Sequence, residues 1–596
     1  MTRKKPFRFL LLSAVICVFF ALKSAVSFNL FAQSASSSSS SRSSSAKRAT
    51  RSSIQIPDSA DFWSDYPNEA LADFLVSKMS NEELLSQILM FGWAGEQPSE
   101  LLSQWVSDRG LGSVKVFGWN TDNTEQVAKS VSSLQQMAQN RNLKIPLFVA
   151  TDQEGGWIRH VKGDTTETPG NMAIGASSYP SDAYYSGYYI AREIKALGIN
   201  MNFAPTVDLY SNLQSVVIGP RSFGSDPDSV GVLGASFAAG SLAAGVIPTA
   251  KHFPGHGGTN ADSHGRLPQI DVDYATLDSN DLVPFKYLIA SKIPAIMSGH
   301  LSFPKIIQNG EPASLSKTFL TDILRKKLGF EGLIITDDMM MNGATLYAGS
   351  LSKAVRLAIE AGNDIIISST TAHLQEALWT VNLDLMESES DFRSTVKRSA
   401  RRVILAKLSY FKSENSAPLF PDVATLKDKI PDAEGQRFFL SLACRSITVY
   451  KQGAFPLTNE EAGRVLLAGQ IQFPEFFSEA KKRYTNCGEF KYDYEMGPIQ
   501  ADWMSNNIET LIPSYDTIII CVANERNALI AERLASSGKR VIIMSVLSPV
   551  PVLDYSWADT ILLGYSYSPF TFAAMFAALN GEYEAQGSLP LEISPR

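Results

Sequence analysis

Histidine and cysteine are scarce in this chain of 596 residues: six of the first, four of the second. Cys17, Cys444, Cys487 and Cys521 have no metal-ligand spacing, which leaves no zinc site or disulfide framework to build on. Cys17 falls in the N-terminal leader, so three remain, an odd number that argues against full pairing. Excess positive charge is missing as well. Lys and Arg number 53 against 60 Asp and Glu, for a net charge of −7. That excludes a general basic surface for nucleic acid. Long apolar runs are also absent. Phe9 to Leu22 is 14 residues long and ends at Lys23, short of the ~20 needed to cross a bilayer. Behind Arg3, Lys4, Lys5 and Arg8 it reads as a signal peptide, with cleavage after Ser27 or Ala32; an uncleaved anchor is the alternative. Cys17 is a poor lipid-attachment site, because the apolar run continues past it. The expected location is therefore outside the cytoplasm: periplasmic, envelope-associated or extracellular. The only membrane contact expected is through an uncleaved leader. Residues 34–53, nearly all Ser, Ala, Arg and Lys, read as a flexible tether.

What is present is a repeated pattern. From residue 60 to about 410, apolar runs alternate with helix-like stretches. The runs are Leu85–Gly92, Gly112–Gly118, Ile145–Thr151, Ile199–Pro205, Val246–Ala250, Ile293–Ser298, Gly332–Thr336 and Asp364–Ser368. Between them lie amphipathic stretches such as Thr124–Asn142, Asp182–Leu197, Thr318–Leu328 and Ser350–Ala361, several stopped by Gly. Strand alternating with helix implies a parallel sheet, and eight units in this length predict a (β/α)8 barrel, with an open doubly wound sheet as the other architecture. The expected organisation is a leader over 1–33, a Ser-rich linker over 34–55, the barrel over 56–411, a Pro- and Asp-rich linker over 412–432, and a smaller α/β sandwich over 433–596. In that last part, strands are expected at Ser446–Tyr450, Arg464–Ala468, Thr517–Val522, Arg540–Ser545 and Thr560–Leu563, and helices at Leu529–Ser536 and Phe570–Leu579. No charged constellation stands out there.

A barrel concentrates its chemistry where the strands end. Asp152-Gln153-Glu154-Gly155-Gly156 follows the third run, Asp208 ends the fourth, Lys251-His252 the fifth, Gly299-His300 the sixth and Asp337-Asp338 the seventh. The densest stretch is Lys251-His252-Phe253-Pro254-Gly255-His256-Gly257-Gly258 with Asp262-Ser263-His264 behind it, which holds three of the six histidines. Packing gives no reason to crowd such groups at one strand end. The His-Glu-x-x-His helix of metal-assisted hydrolysis is absent, and so is a Gly-x-Ser-x-Gly elbow for acyl transfer. Sugar chemistry fits best: an oxocarbenium-like transition state calls for a carboxylate near the anomeric carbon and a proton donor at the leaving oxygen.

These motifs occur together, in order, with Gly219-Pro220-Arg221-Ser222-Phe223 and Ile335-Thr336-Asp337-Asp338. The chain thereby resembles the bacterial β-N-acetylglucosaminidases of glycoside hydrolase family 3, over roughly residues 65–410. The resemblance implies a (β/α)8 barrel and hydrolysis of terminal β-linked N-acetylglucosamine with retention, on peptidoglycan fragments or chitooligosaccharides. It implies no metal or other cofactor. It makes Asp337 the nucleophile, His264 the general acid/base paired with Asp262, and Asp152, Arg221, Lys251 and His252 the sugar-binding residues. For Arg221 a structural ion pair is the competing role, and for His256 a turn-stabilising one. His300 is a weaker site residue; His160 and His373 are read as ordinary surface or packing residues. Trp157 stands where many relatives carry Arg and Gly258 where many carry Asp; Trp157 could stack on a sugar or fill the core. The second domain of two-domain relatives flanks the cleft, and a structural role is expected for it here. The alternatives are a phosphorylase, a β-glucosidase and, from another class, an exported glycan-binding protein without activity.

Overall fold

The computed structural model describes residues 55–593 except 216, 260–264, 266, 370 and 371; of the side chains at 372–375 nothing is said. Eight strands form a parallel ring: β1 Leu89–Phe91, β2 Ser113–Lys115, β3 Phe148–Thr151, β6 Met201–Asn202, β7 Ile247–Phe253, β8 Ala295–Ser298, β9 Leu333–Thr336 and β10 Ile366–Ser368. A hairpin, β4 Gln153–Gly155 and β5 Ile158–Arg159, branches from the end of β3. Neighbours follow chain order around the ring. Val114 pairs with Val149, Met201 with Ile247 and Ile296 with Ile334. β10 pairs with β1, Ile366 opposite Leu89, and the bridge Ile335–Ile365 closes β9 onto β10. The fold is therefore the expected barrel; seven of the eight apolar runs contain their strands, and the eighth contains the start of β7.

The helices form where the pattern demands. Thr124–Gln139 buries Val127, Ala128, Val131, Leu134 and Ala138, one stripe at helical spacing, and Asn123 caps it by accepting from Gln126 N. Leu351–Ala361 begins at Ser350, which accepts from Lys353 N, and stops at Gly362 in a left-handed conformation. The first strand is shorter than the run that announced it. Residues 85–87 belong to the helix Asn81–Gln87, held by a reciprocal cap between Ser80 and Glu83. β7 instead runs three residues beyond its apolar run and carries Lys251 and His252 within the strand.

A second sheet follows: β11 Thr448–Lys451, β12 Val465–Gln470, β13 Cys487–Tyr492, β14 Thr517–Val522, β15 Arg540–Ser545 and β16 Thr560–Leu563, in the order β11-β16-β15-β14-β12-β13. All neighbours are parallel except β11 with β16. β13 had no sequence signal: it is an edge strand, mostly half-buried, with Glu489 and Lys491 among its residues. The helix expected at 529–536 lies at Glu525–Glu532, because Asn524 caps it by accepting from Asn527 N. Met172, Ala173, Ala176 and Tyr210 of the barrel side share one apolar cluster with Leu466, Ile518 and Val541 of this sheet. Arg445 forks onto Asp182 at 2.6 and 3.0 Å beside them. Tyr210, on the loop after β6, meets Ser548, just past β15, at 3.0 Å.

Candidate active site

The strand ends of the barrel converge on a buried charge network. Its first half is built on the β3 end. Asn202 of β6 fixes that end, accepting from Gln153 N and donating to Gln153 O, both at 2.9 Å. Asp152 and Glu154 then receive cations from three other segments. Lys251 Nζ lies 2.6 Å from Asp152 Oδ1 and 2.7 Å from Glu154 Oε1. Lys115 Nζ, from β2, lies 2.9 Å from Asp152 Oδ2. Arg221 forks onto Glu154, Nε to Oε2 at 3.0 Å and Nη2 to Oε1 at 2.7 Å. Burial alone would raise both carboxyls. Lys115 and Lys251 outweigh it at Asp152 and hold that carboxyl well below its usual range. Arg221 and Lys251 do the same at Glu154, bringing it to about 2. The same carboxylates raise Lys251 against its own burial.

Glycine makes the turn behind these carboxylates. Gly156 has φ +59°, and a Cβ there would stand 2.9 Å from Gly170 Cα. The turn returns the chain as β5 and His160, whose Nδ1 lies 3.5 Å from Asp152 Oδ2. Burial lowers this imidazole to about 4, against the pull of Asp152, which leaves it neutral near pH 7.

The second half centres on Asp208. Its Oδ2 is 2.6 Å from His252 Nδ1, and its Oδ1 accepts from His256 N at 2.7 Å. Burial opposes ionisation, but His252 and these hydrogen bonds bring Asp208 to about 2. Burial holds the His256 ring itself down to about 4. The turn that follows packs backbone to backbone on the β6 loop. A Cβ on Gly257 would sit 1.5 Å from Leu209 O, which explains the glycine. Asp337 stands at the end of β9, tied by its N–H to Ser298 O at 2.9 Å, and its Oδ1 accepts from Asp338 N at 2.8 Å. Burial would raise its carboxyl; His252 and His300 outweigh it and keep it below the usual value. His300 is buried, 2.7 Å from Ser314 Oγ and 3.1 Å from Asp338 O, and burial lowers it. Among the described residues no three His, Cys, Asp or Glu side chains are grouped as metal ligands.

Comparison with known proteins gives the family. The family described as "Glycosyl hydrolase family 3 N terminal domain" matches residues 80–405, more than half of the chain. The chain belongs to glycosyl hydrolase family 3. It is 34% identical over 379 residues to "Beta-hexosaminidase A" of Pseudoalteromonas piscicida, covering 60% of this chain but only 62% of that protein. It is 36% identical over 261 residues to "Beta-hexosaminidase" of Tolumonas auensis, covering 43% of this chain and 75% of that one. Among solved structures, a glycoside hydrolase family 3 beta-N-acetylglucosaminidase from Paenibacillus sp. superposes with a TM-score of 0.79 at 28% identity, over 86% of this chain and 99% of its own.

In this family 3 member, five of the seven residues singled out from sequence stand in or beside the network: Asp152, Arg221, Lys251, His252 and Asp337. Asp262 and His264 lie outside the described residues. Arg221 does form the ion pair that competed with a ligand role. His160, read as a surface or packing residue, has its Nδ1 3.5 Å from Asp152 Oδ2; the side chain of His373 is outside the described set. Trp157 is 42% exposed, so the core-filling role fails for it. Met339 and Met341 are buried, whereas Met340 is exposed. Sequence reasoning passed over Lys115, hidden inside an apolar run, and left Glu154 and Asp208 without a role. Their position at strand ends was the available signal.

Proposed function

We propose that this protein is a retaining exo-β-N-acetylglucosaminidase acting on peptidoglycan fragments or chitooligosaccharides outside the cytoplasm. The observation that carries the reading is that Asp337 stands at a strand end of the barrel that also holds the buried cation–carboxylate network, in a chain related to beta-hexosaminidases. Asp337, whose carboxyl stays below its usual value despite burial, attacks the anomeric carbon as the glycosidic C–O bond breaks. His264, as imidazolium, delivers its proton to the leaving oxygen. In the second step neutral His264 takes a proton from water, whose oxygen displaces Asp337 from the anomeric carbon. Asp262 fixes the His264 tautomer and stabilises its cation, as the aspartate does in a Ser-His-Asp triad. Asp152 and Lys251 accept from and donate to ring hydroxyls, with Lys115, Glu154 and Arg221 holding both in place. The Ser-rich segment 34–55 tethers the enzyme to its leader, and the sheet after residue 432 has a structural role, packed on the barrel side through one apolar cluster.

The test is an assay of aryl β-N-acetylglucosaminide and aryl β-glucoside, each with and without phosphate. Release from the acetamido sugar alone, as free sugar, is expected. Asp337→Ala should lower kcat by about 10⁴-fold or more while leaving the fold intact. Full activity of that variant ends the nucleophile assignment. Sugar-1-phosphate as product would make the enzyme a phosphorylase. Preference for the glucoside would overturn the specificity, and no turnover at all would leave a glycan-binding protein.

A further inference from the structure

Beyond Lys115, the β2 end carries two residues that the chemistry above does not use, Phe117 and Trp119. Lys115, Phe117 and Trp119 alternate along it and form a ladder from the interior to solvent. Lys115 and Phe117 are each 6% exposed, whereas Trp119 is 57% exposed. Lys115 Nζ sits 4.4 Å from the centre of the Phe117 ring. Trp119 stacks on the other rung, its ring 4.5 Å from Phe117 and inclined by only 6°. An exposed Trp is ordinarily free to turn, but this one is fixed. Its indole N–H donates to Trp93 O at 2.8 Å. Asn120 clamps the same turn, donating to Trp93 O at 3.1 Å and to Gly95 O, and accepting from Phe117 N at 2.9 Å. Thr121 Oγ1 ties the turn to the other wall of the site, donating to His160 O at 2.5 Å and accepting from Lys162 N at 3.3 Å. His160 in turn faces Asp152.

One face of this indole is covered by Phe117, and solvent reaches the residue while its polar edge is already satisfied. A Trp so placed adds nothing to a core. Its rigidity means that little conformational freedom is lost when a flat partner lands on it. The apolar C–H face of a pyranose is such a partner, and a rigid aromatic face is the surface that takes it. The ladder also fixes which part of the substrate is met. It starts at the buried Lys115–Asp152 pair and runs outward. In an enzyme that removes terminal sugars, the part projecting outward is the aglycone.

We propose that Trp119 is the stacking platform for the sugar on the aglycone side of the scissile bond, and thereby selects oligosaccharides over substrates with small leaving groups. The proposal rests on the hexosaminidase reading above, and the test separates the two. The full chain is assayed on N-acetylchitotriose and on N-acetyl-β-glucosaminyl fluoride, whose aglycone is a single atom. Trp119→Ala should lower kcat/KM for the trisaccharide about tenfold, mainly through KM. The loss on the fluoride should be less than twofold, and Trp119→Phe should recover most of the trisaccharide activity. Trp119→Leu, which still covers Phe117 but offers no aromatic face, should behave like Trp119→Ala and carries the test if that variant melts early. Equal losses on both substrates, or none on the trisaccharide, overturn the platform. So does a wild-type enzyme that cleaves the fluoride but not the trisaccharide. A wild-type chain that cleaves neither sinks the hexosaminidase reading and this one with it.

Discussion

At the bottom of the barrel, where the strands begin, buried Asp364 accepts from Arg325 at 2.5 Å, Arg402 at 2.9 Å and Ile334 N at 3.0 Å. At the top, Glu154 accepts from Arg221 and Lys251 at nearly the same distances. The residue types match, yet the two networks differ in what lies beyond them. Arg325 continues to the backbone at Phe330 and Gly332, just before β9, so the bottom network joins strand starts to outer helices and stops there. The top network joins side chains from separate strands, and both His160 and Asp337 at its margin are only half-buried. Ion pairs of equal geometry thus serve closure at one end and preorganisation at the other. What distinguishes them is whether the chain of contacts ends on backbone or on a group with room for a ligand.

The sharpest way to break this comparison is Glu154→Gln. Removing one partner of a buried pair leaves Arg221 and Lys251 short of a counter-charge, at a cost of about 3–5 kcal/mol. Because Lys251 also holds Asp152, activity should fall at least about tenfold in the fraction that remains folded. The variant should also have a flatter acid limb. A carboxyl at about 2 in the folded chain, against ~4.3 unfolded, contributes stability that is fully present above the unfolded value. That stability is lost as pH falls toward 2. Thermal melts between pH 3 and 7 measure both effects. An acid limb as steep as that of the wild type would show that Glu154 is not ionised in the folded state.

Asp364→Asn gives the matching experiment at the other end. It should cost about 3 kcal/mol, since Arg325 loses its carboxylate. The expected contrast is in catalysis: kcat and KM of the folded enzyme should stay within about twofold of wild type, because no described contact of Asp364 reaches the strand tops. A large change in KM with this variant would mean that the two ends are coupled through β9 and β10, and the division drawn above would fail.

The same distinction explains what could be read from the sequence. Eight strands were legible because each is an apolar run bounded by amphipathic helices, and Asp337, Lys251 and Asp152 were legible because they close such runs. Lys115 was not, since Ser113-Val114-Lys115-Val116-Phe117 reads as an uninterrupted strand with one charge in it. Only the ring arrangement shows that this charge meets Asp152 from the neighbouring strand. His160 follows a Gly-Gly turn whose return path depends on Gly156 approaching Gly170, a contact with no local signature. Nothing in the local sequence sets Trp119 apart, because what distinguishes it is its stack on Phe117. Edge strand β13 escaped because its burial is slight and its charges are ordinary for a surface.

The smallest expected effect concerns a charge with no opposite partner. Lys407 is fully buried at the barrel bottom, and its Nζ donates to Gly112 O at 2.7 Å and Gln87 Oε1 at 3.0 Å. No carboxylate pairs with it among the described residues. Burial therefore holds its ammonium well below the ordinary lysine value. In the unfolded chain the group is protonated up to ~10.4. Folding consequently becomes more favourable as pH rises from the lowered value toward the unfolded one, and the desolvation cost is fully present below both. Lys407→Met keeps the length of the side chain and removes that cost, at the loss of two neutral-acceptor hydrogen bonds. The balance should favour the variant by about 1 kcal/mol at pH 6–7, and its advantage should shrink toward pH 10. Melting temperatures at the two pH values decide it. A variant less stable than wild type by the same amount at both would mean that the two hydrogen bonds outweigh desolvation, and that this end of the barrel, too, needs its charge.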